Sequence, residues 1–75
     1  MAISSSDVVV GGEYITETKQ LRKVTQIIQD DEGHTRVHYE CKSANFPKRP
    51  WEPCHTLANP PLLDTFVKDC DKKIN

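Results

Sequence analysis

Lys42, Phe46, Lys48 and Arg49 form the densest set of basic and aromatic side chains in the chain. Together with Arg36 upstream, they have the residue types that meet phosphates and stack a base. The same types serve equally well to receive an extended protein segment, and a merely solvated loop would carry the same charges. His34, His38 and His55 with Cys54 raise the question of zinc. Four residues along a strand span about 13 Å, so His34 and His38 cannot share one ion. Cys54 and His55 are adjacent and point apart in extended backbone, so no metal is assigned. Cys41, Cys54 and Cys70 are odd in number and widely spaced, with no C-x-x-C pair. They read as free thiols filling small apolar positions rather than as a disulfide framework. A Cys–His nucleophile needs contact and a third, orienting group, and the chain has neither a glycine-rich phosphate loop nor a nucleophile elbow. Asp30-Asp31-Glu32 is most simply a solvated turn. No catalytic residue and no cofactor are assigned.

The elements that must hold these side chains belong to one small domain. The chain has 75 residues, 36% hydrophobic and 28% charged, with net charge −1. That length allows one core, and a domain this small buries only about 60% of its unfolded surface. A pI near 6.3 argues against a general electrostatic grip on nucleic acid but leaves room for a local basic patch. Residues 1–6 read as a flexible polar start and 7–75 as the domain. The stretch Met1 to Ser6 lacks a basic start and an apolar run, and no segment approaches a membrane span. The expectation is a soluble intracellular protein, cytoplasmic, or nuclear if the host is eukaryotic.

Val8-Val9-Val10 reads as a short strand broken by Gly11-Gly12, with residues 13–17 as a second strand. In residues 21–29 both faces carry apolar groups, so this strand is central or bulged. Asp30 to Gly33 is a turn. His34 to Lys42 alternates cleanly, with Thr35, Val37, Tyr39 and Cys41 inward, and it pairs with 21–29 as a hairpin. Pro47 and Pro50 make 43–50 a loop, and Trp51 opens a short return strand held short by Pro53. Trp51 reads as a plug against a helix. Asn59 as N-cap, Pro60 at the first helical position, and the stripe Leu62, Leu63, Phe66, Val67 and Cys70 predict a helix from Pro60 to about Lys72. The fold class expected is α+β: a small, strongly bent antiparallel sheet or partly open SH3-like barrel with one C-terminal helix.

In this order the features resemble the chromodomain family, within the wider group of Tudor-like and SH3-like barrels. The resemblance rests on Val24 to Ile28 and Val37 to Lys42 as hairpin strands, on Trp51-Glu52-Pro53 with Leu57, and on Leu62 to Phe66 as the helix. It spans about residues 22–73 and implies a non-catalytic recognition role. Family members that bind methylated lysine use a cage of rings. On this resemblance the cage positions fall at Arg22, Ser43 and near Phe46, so only one is aromatic here. Tyr14 would supply a ring if the N-terminal strand folds back.

The function expected is therefore a protein-recognition or assembly module. It binds an extended segment or self-associates, with Tyr14, Arg36, Lys42, Phe46, Lys48 and Arg49 as partner-binding residues. The alternatives are a nucleic-acid-binding module using the basic loop and a small oligomeric enzyme with an interfacial site. No membrane partner is expected.

Overall fold

The computed structural model describes residues 3–53 and 60–75. Five antiparallel strands form one sheet: β1 (Glu13–Thr16), β2 (Gln20–Gln29), β3 (Thr35–Ser43), β4 (Glu52–Pro53) and β5 (Cys70–Lys73), in the order β4-β3-β2-β1-β5. The one helix described, α1 (Leu63–Asp69), has seven residues, and a 3-10 turn spans Ser5–Asp7. The sheet is open, with β4 and β5 at its edges, and strand dominates the chain. This corrects the α+β expectation of a partly open barrel with a long C-terminal helix.

The helix is shorter at both ends for separate reasons. Pro60 precedes Pro61, and a residue before proline is pushed out of the α region into extended backbone. The carbonyls there are committed elsewhere. Pro61 accepts from the Val37 N–H at 3.0 Å, and Pro60 accepts from Arg36 Nη1 at 2.7 Å. At the other end Cys70 turns extended (ψ 135°). Residues 70–73 then pair with β1, while the Ile74 N–H bonds to Glu13 O at 2.8 Å. The apolar stripe nevertheless survives in part, with Phe66 and Cys70 both buried. The predicted N-cap Asn59 lies outside the described residues.

Strands β2 and β3 hold the longest register, from Gln20↔Ser43 to Gln29↔Thr35, with a bulge between Val24 and Gln26. That bulge, and the central place of β2, explain its apolar groups on both faces. Gly33 (φ 84°) closes the hairpin with its N–H on Asp30 O at 3.0 Å. Asp30 Oδ1 also takes the His34 and Glu32 N–H groups, and Oδ2 takes Arg36 Nε. The His34 N–H, then the Arg36 guanidinium, hold the Asp30 carboxyl below its ordinary range.

The core gathers Val8, Tyr14, Val24, Val37, Phe66 and Cys70, with Ile3, Ile27, Tyr39, Leu63 and Val67 against it. Val8 to Val10 is not the short strand that the sequence suggested. The Val8 N–H closes the 3-10 turn on Ser5 O, the Val9 N–H goes to the Tyr14 hydroxyl, and a turn at Gly11 (φ 87°) follows. Val9 and Val10 are left exposed.

Cys41 is disulfide-bonded, which corrects the free-thiol reading for that residue, whereas Cys70 is a buried free thiol. Burial pushes the Cys70 thiol up to about 11, against the opposing pull of Arg22. A raised thiol pKa favours the folded state while the thiol is neutral. That contribution is complete below the ordinary value of 9.0 and is lost as pH climbs through about 11. At pH 8 an aromatic disulfide reagent should label Cys70 in denaturant and scarcely in native protein. Prompt native labelling would mean that the α1–β5 junction opens readily.

Candidate functional site

The basic and aromatic loop expected at 43–50 lies between β3 and β4, and its own backbone shapes it. The Ala44 N–H bonds to Lys19 O at 2.9 Å, the Phe46 N–H to Ser43 O at 3.1 Å, and the Arg49 N–H to Phe46 O at 3.1 Å. Two successive tight turns therefore present residues 45–50 outward, and all six are exposed. Asn45, Phe46, Pro47, Lys48, Arg49 and Pro50 line an open depression of about 520 Å³. Phe46 is 57% exposed, and the Arg49 guanidinium sits 5.3 Å from its ring centroid. Lys48 is exposed and makes no hydrogen bond or ion pair among the described residues. An exposed ring braced by a cation, with prolines fixing the backbone around it, loses little conformational freedom when it binds.

Lys42 has a different job. Its Nζ donates to Pro47 O at 2.7 Å and lies 4.4 Å from the Trp51 ring centroid. It ties the two arms of the loop together, and the half-buried Trp51 is the platform beneath it. Trp51 is not the plug against the helix that the sequence suggested: among the described residues the core is filled by Phe66 of α1 itself. β4 follows with Glu52 opposite Cys41 and Pro53 opposite Glu40, a two-residue edge strand that proline keeps from extending.

Arg36 does not join the loop. It lies six residues along β3 from Lys42, about 20 Å away in extended chain, and is held by Asp30 and the Pro60 carbonyl. Tyr14 is fully buried. Its hydroxyl donates to Asp7 O at 2.7 Å and accepts from the Val9 N–H at 3.0 Å, and burial raises its pKa. It is a core pillar, not a ring facing a ligand. Of the six residues singled out from sequence, Phe46, Lys48 and Arg49 are exposed together on the loop, Lys42 braces it, and Arg36 and Tyr14 lie elsewhere.

Arg22 is the cation that sequence reading underrated. Its guanidinium stacks 4.7 Å from the Tyr39 ring centroid and 5.7 Å from that of Phe66, with Nη1 3.6 Å from Asp69 Oδ2. Nε donates to Gln20 Oε1 at 2.7 Å, and the side chain is 13% exposed. It fastens the end of α1 to the sheet. The signal for it was its place on a strand otherwise facing Cys41 and Tyr14.

His34 Nδ1 stands 3.7 Å from both Asp30 Oδ2 and Glu32 Oε2 at the hairpin tip. No group of three or more His, Cys, Asp or Glu among the described residues converges as metal ligands would. No helix among the described residues is long and apolar enough to cross a membrane. Comparison with family models, with curated proteins and with solved structures returns no match for this chain.

Proposed function

We propose that this chain is a non-catalytic recognition module that takes an extended protein segment on the loop between β3 and β4. The observation that carries this reading is Phe46, a large aromatic left 57% exposed in an open depression bounded by Pro47 and Pro50. Aromatic anchors set in shaped surroundings supply most of the energy at protein interfaces. The resemblance of the Trp-Glu-Pro and hairpin segments to chromodomains supports the same kind of role. Nucleic acid is the less favoured partner. The net charge is −1, and Arg36 is held away from the loop by Asp30, so the basic track is short.

The test is a binding screen of the purified chain against short, uncharged, proline-containing peptides, repeated with Phe46→Ala. A hot-spot residue costs about 2 kcal/mol or more on truncation, roughly thirtyfold in Kd. The variant should lose the peptides while keeping its parent's unfolding midpoint. Unchanged affinity would remove the loop from consideration. Salt-reversible binding of a mixed-sequence oligonucleotide without any peptide binding would favour the nucleic-acid reading.

A further inference from the structure

The turn between β1 and β2 holds a residue that sequence reading passed over as part of a polar link. Lys19 has φ 67°, the one positive φ outside glycine among the described residues. A side chain in that region is strained, and glycine would sit there without cost. The strain is fixed by its surroundings. The Lys19 N–H bonds to Thr16 O at 3.0 Å, the Thr16 hydroxyl takes the Gln20 N–H at 3.1 Å, and Lys19 O takes the Ala44 N–H. The last of these bonds welds the turn to the foot of the Phe46 loop. The side chain, by contrast, is exposed and makes no hydrogen bond or ion pair among the described residues. Strained positions that keep an otherwise idle charged side chain are characteristic of binding sites.

Lys19 also lines a second depression of about 400 Å³ that runs past Gln20, Lys42 and Ser43 toward Glu52. Lys42, which lines this second depression, donates from Nζ to the carbonyl of Pro47 in the first at 2.7 Å, so the two depressions are neighbours. Lys48 and Arg49 border the first and Lys19 the second. Glu52 on the far wall keeps the second from being uniformly positive and leaves its attraction for anions at the Lys19 end.

Resting on the recognition reading above, we infer that the segment bound is acidic. An apolar residue of the segment enters the depression at Phe46, and carboxylates on its flanks lie against Lys48, Arg49 and Lys19. Charge complementarity carries the choice of partner, because among the described residues these three cations have no acidic partner while Arg22 and Arg36 do. A nucleic acid would need a longer phosphate track than these cations offer.

The experiment uses fluorescent peptides of about a dozen residues with a central leucine-proline pair and flanks rich in glutamate, glutamine or lysine. Each is titrated against the parent chain, Lys19→Gly and Phe46→Ala at low and moderate salt. The glutamate-flanked peptide should bind about tenfold tighter than the glutamine-flanked one at low salt, and the gap should narrow as salt rises. Lys19→Gly should cost the glutamate peptide about fivefold and leave the glutamine peptide alone. Because the substitution relieves the strained turn, its Tm should equal the parent's or rise by about 2–5 °C, so lost binding cannot be lost folding. Equal affinity for the flanks, or no effect of Lys19→Gly on the glutamate peptide, overturns the acidic assignment. If Phe46→Ala still abolishes binding in that case, the recognition reading stands. If Phe46→Ala also changes nothing, both fall. Displacement of the glutamate peptide by a mixed-sequence oligonucleotide at equal or lower concentration overturns the choice of partner.

Discussion

Phe66→Ala is expected to cost about 3–5 kcal/mol, the usual range for emptying a fully buried aromatic site. Phe66 is 0% exposed and is the residue on which the core converges. Its ring meets Tyr14 edge-on at 5.5 Å and 88°, and Tyr39 at 5.3 Å and 60°. The Arg22 guanidinium covers a third side. Two favourable aromatic pairs and a cation contact therefore disappear along with the buried area. A domain of this length has a stability of about 4–11 kcal/mol at 0.05–0.15 kcal/mol per residue. The substitution thus removes about a quarter of it at the least and all of it at the most. Urea titration followed by tyrosine and tryptophan fluorescence checks the result: the midpoint should fall steeply while the slope stays near the parent's. Phe66→Leu, which keeps the apolar volume, should fall far less. A cost below about 1 kcal/mol for the alanine variant would mean that α1 is not docked on the sheet, since exposed substitutions stay in that range.

What was legible in the chain was local. The β2–β3 hairpin could be read because the alternation through Val37, Tyr39 and Cys41 and the Asp30–Gly33 turn are written in consecutive residues. The loop bearing Phe46, Lys48 and Arg49 could be read for the same reason, since Pro47 and Pro50 bar a strand from it. Elements made by distant backbone were not legible. Cys70 to Lys73 fits the last turn of a helix by local propensity, yet it pairs with β1 about 57 residues earlier, an energy that no window on the sequence contains. The helix start was partly readable after all, because Pro61 restricts Pro60.

Charges misled in one direction. Arg36 and Lys42 were read as outward-facing ligand groups, whereas each spends its donors on carbonyls within the chain. Their long apolar stems let them lie along the protein with only the head group committed. Tyr14 misled in the same direction for a different reason. The alternation through β1 left its face open, and its burial depends on a hydroxyl that satisfies the backbone of residues 7 and 9. Lys19 left no sequence trace, because a left-handed lysine cannot be told from any other lysine in a polar link.

Gly12→Ala should be nearly as damaging as the loss of Phe66, for a reason that lies in Tyr14 and not in the backbone. Gly12 has no positive φ, so an alanine there meets no conformational penalty. A Cβ at this position would instead run into the Tyr14 hydroxyl and lie 2.8 Å from its Cζ. The ring cannot swing aside cheaply. It is fully buried against Phe66, and its hydroxyl is fixed between Asp7 O and the Val9 N–H. Overpacking of a tight core costs about 1–3 kcal/mol. Displacing the hydroxyl breaks two part-buried hydrogen bonds, at about 1–3 kcal/mol more. A total of about 3–4 kcal/mol is expected. The diagnostic measurement is a double-mutant cycle with Tyr14→Phe. Alone, Tyr14→Phe forfeits the two hydrogen bonds and should cost about 1–2 kcal/mol. Beside Gly12→Ala it removes the atom that the new methyl strikes, so the double variant should be less destabilised than the sum by about 1–2 kcal/mol. Rescue stays incomplete because Cζ remains close. Strict additivity across the four urea midpoints would show that the methyl at position 12 is accommodated without touching the tyrosine. Gly12 would then owe its place to something other than the ring packed against it.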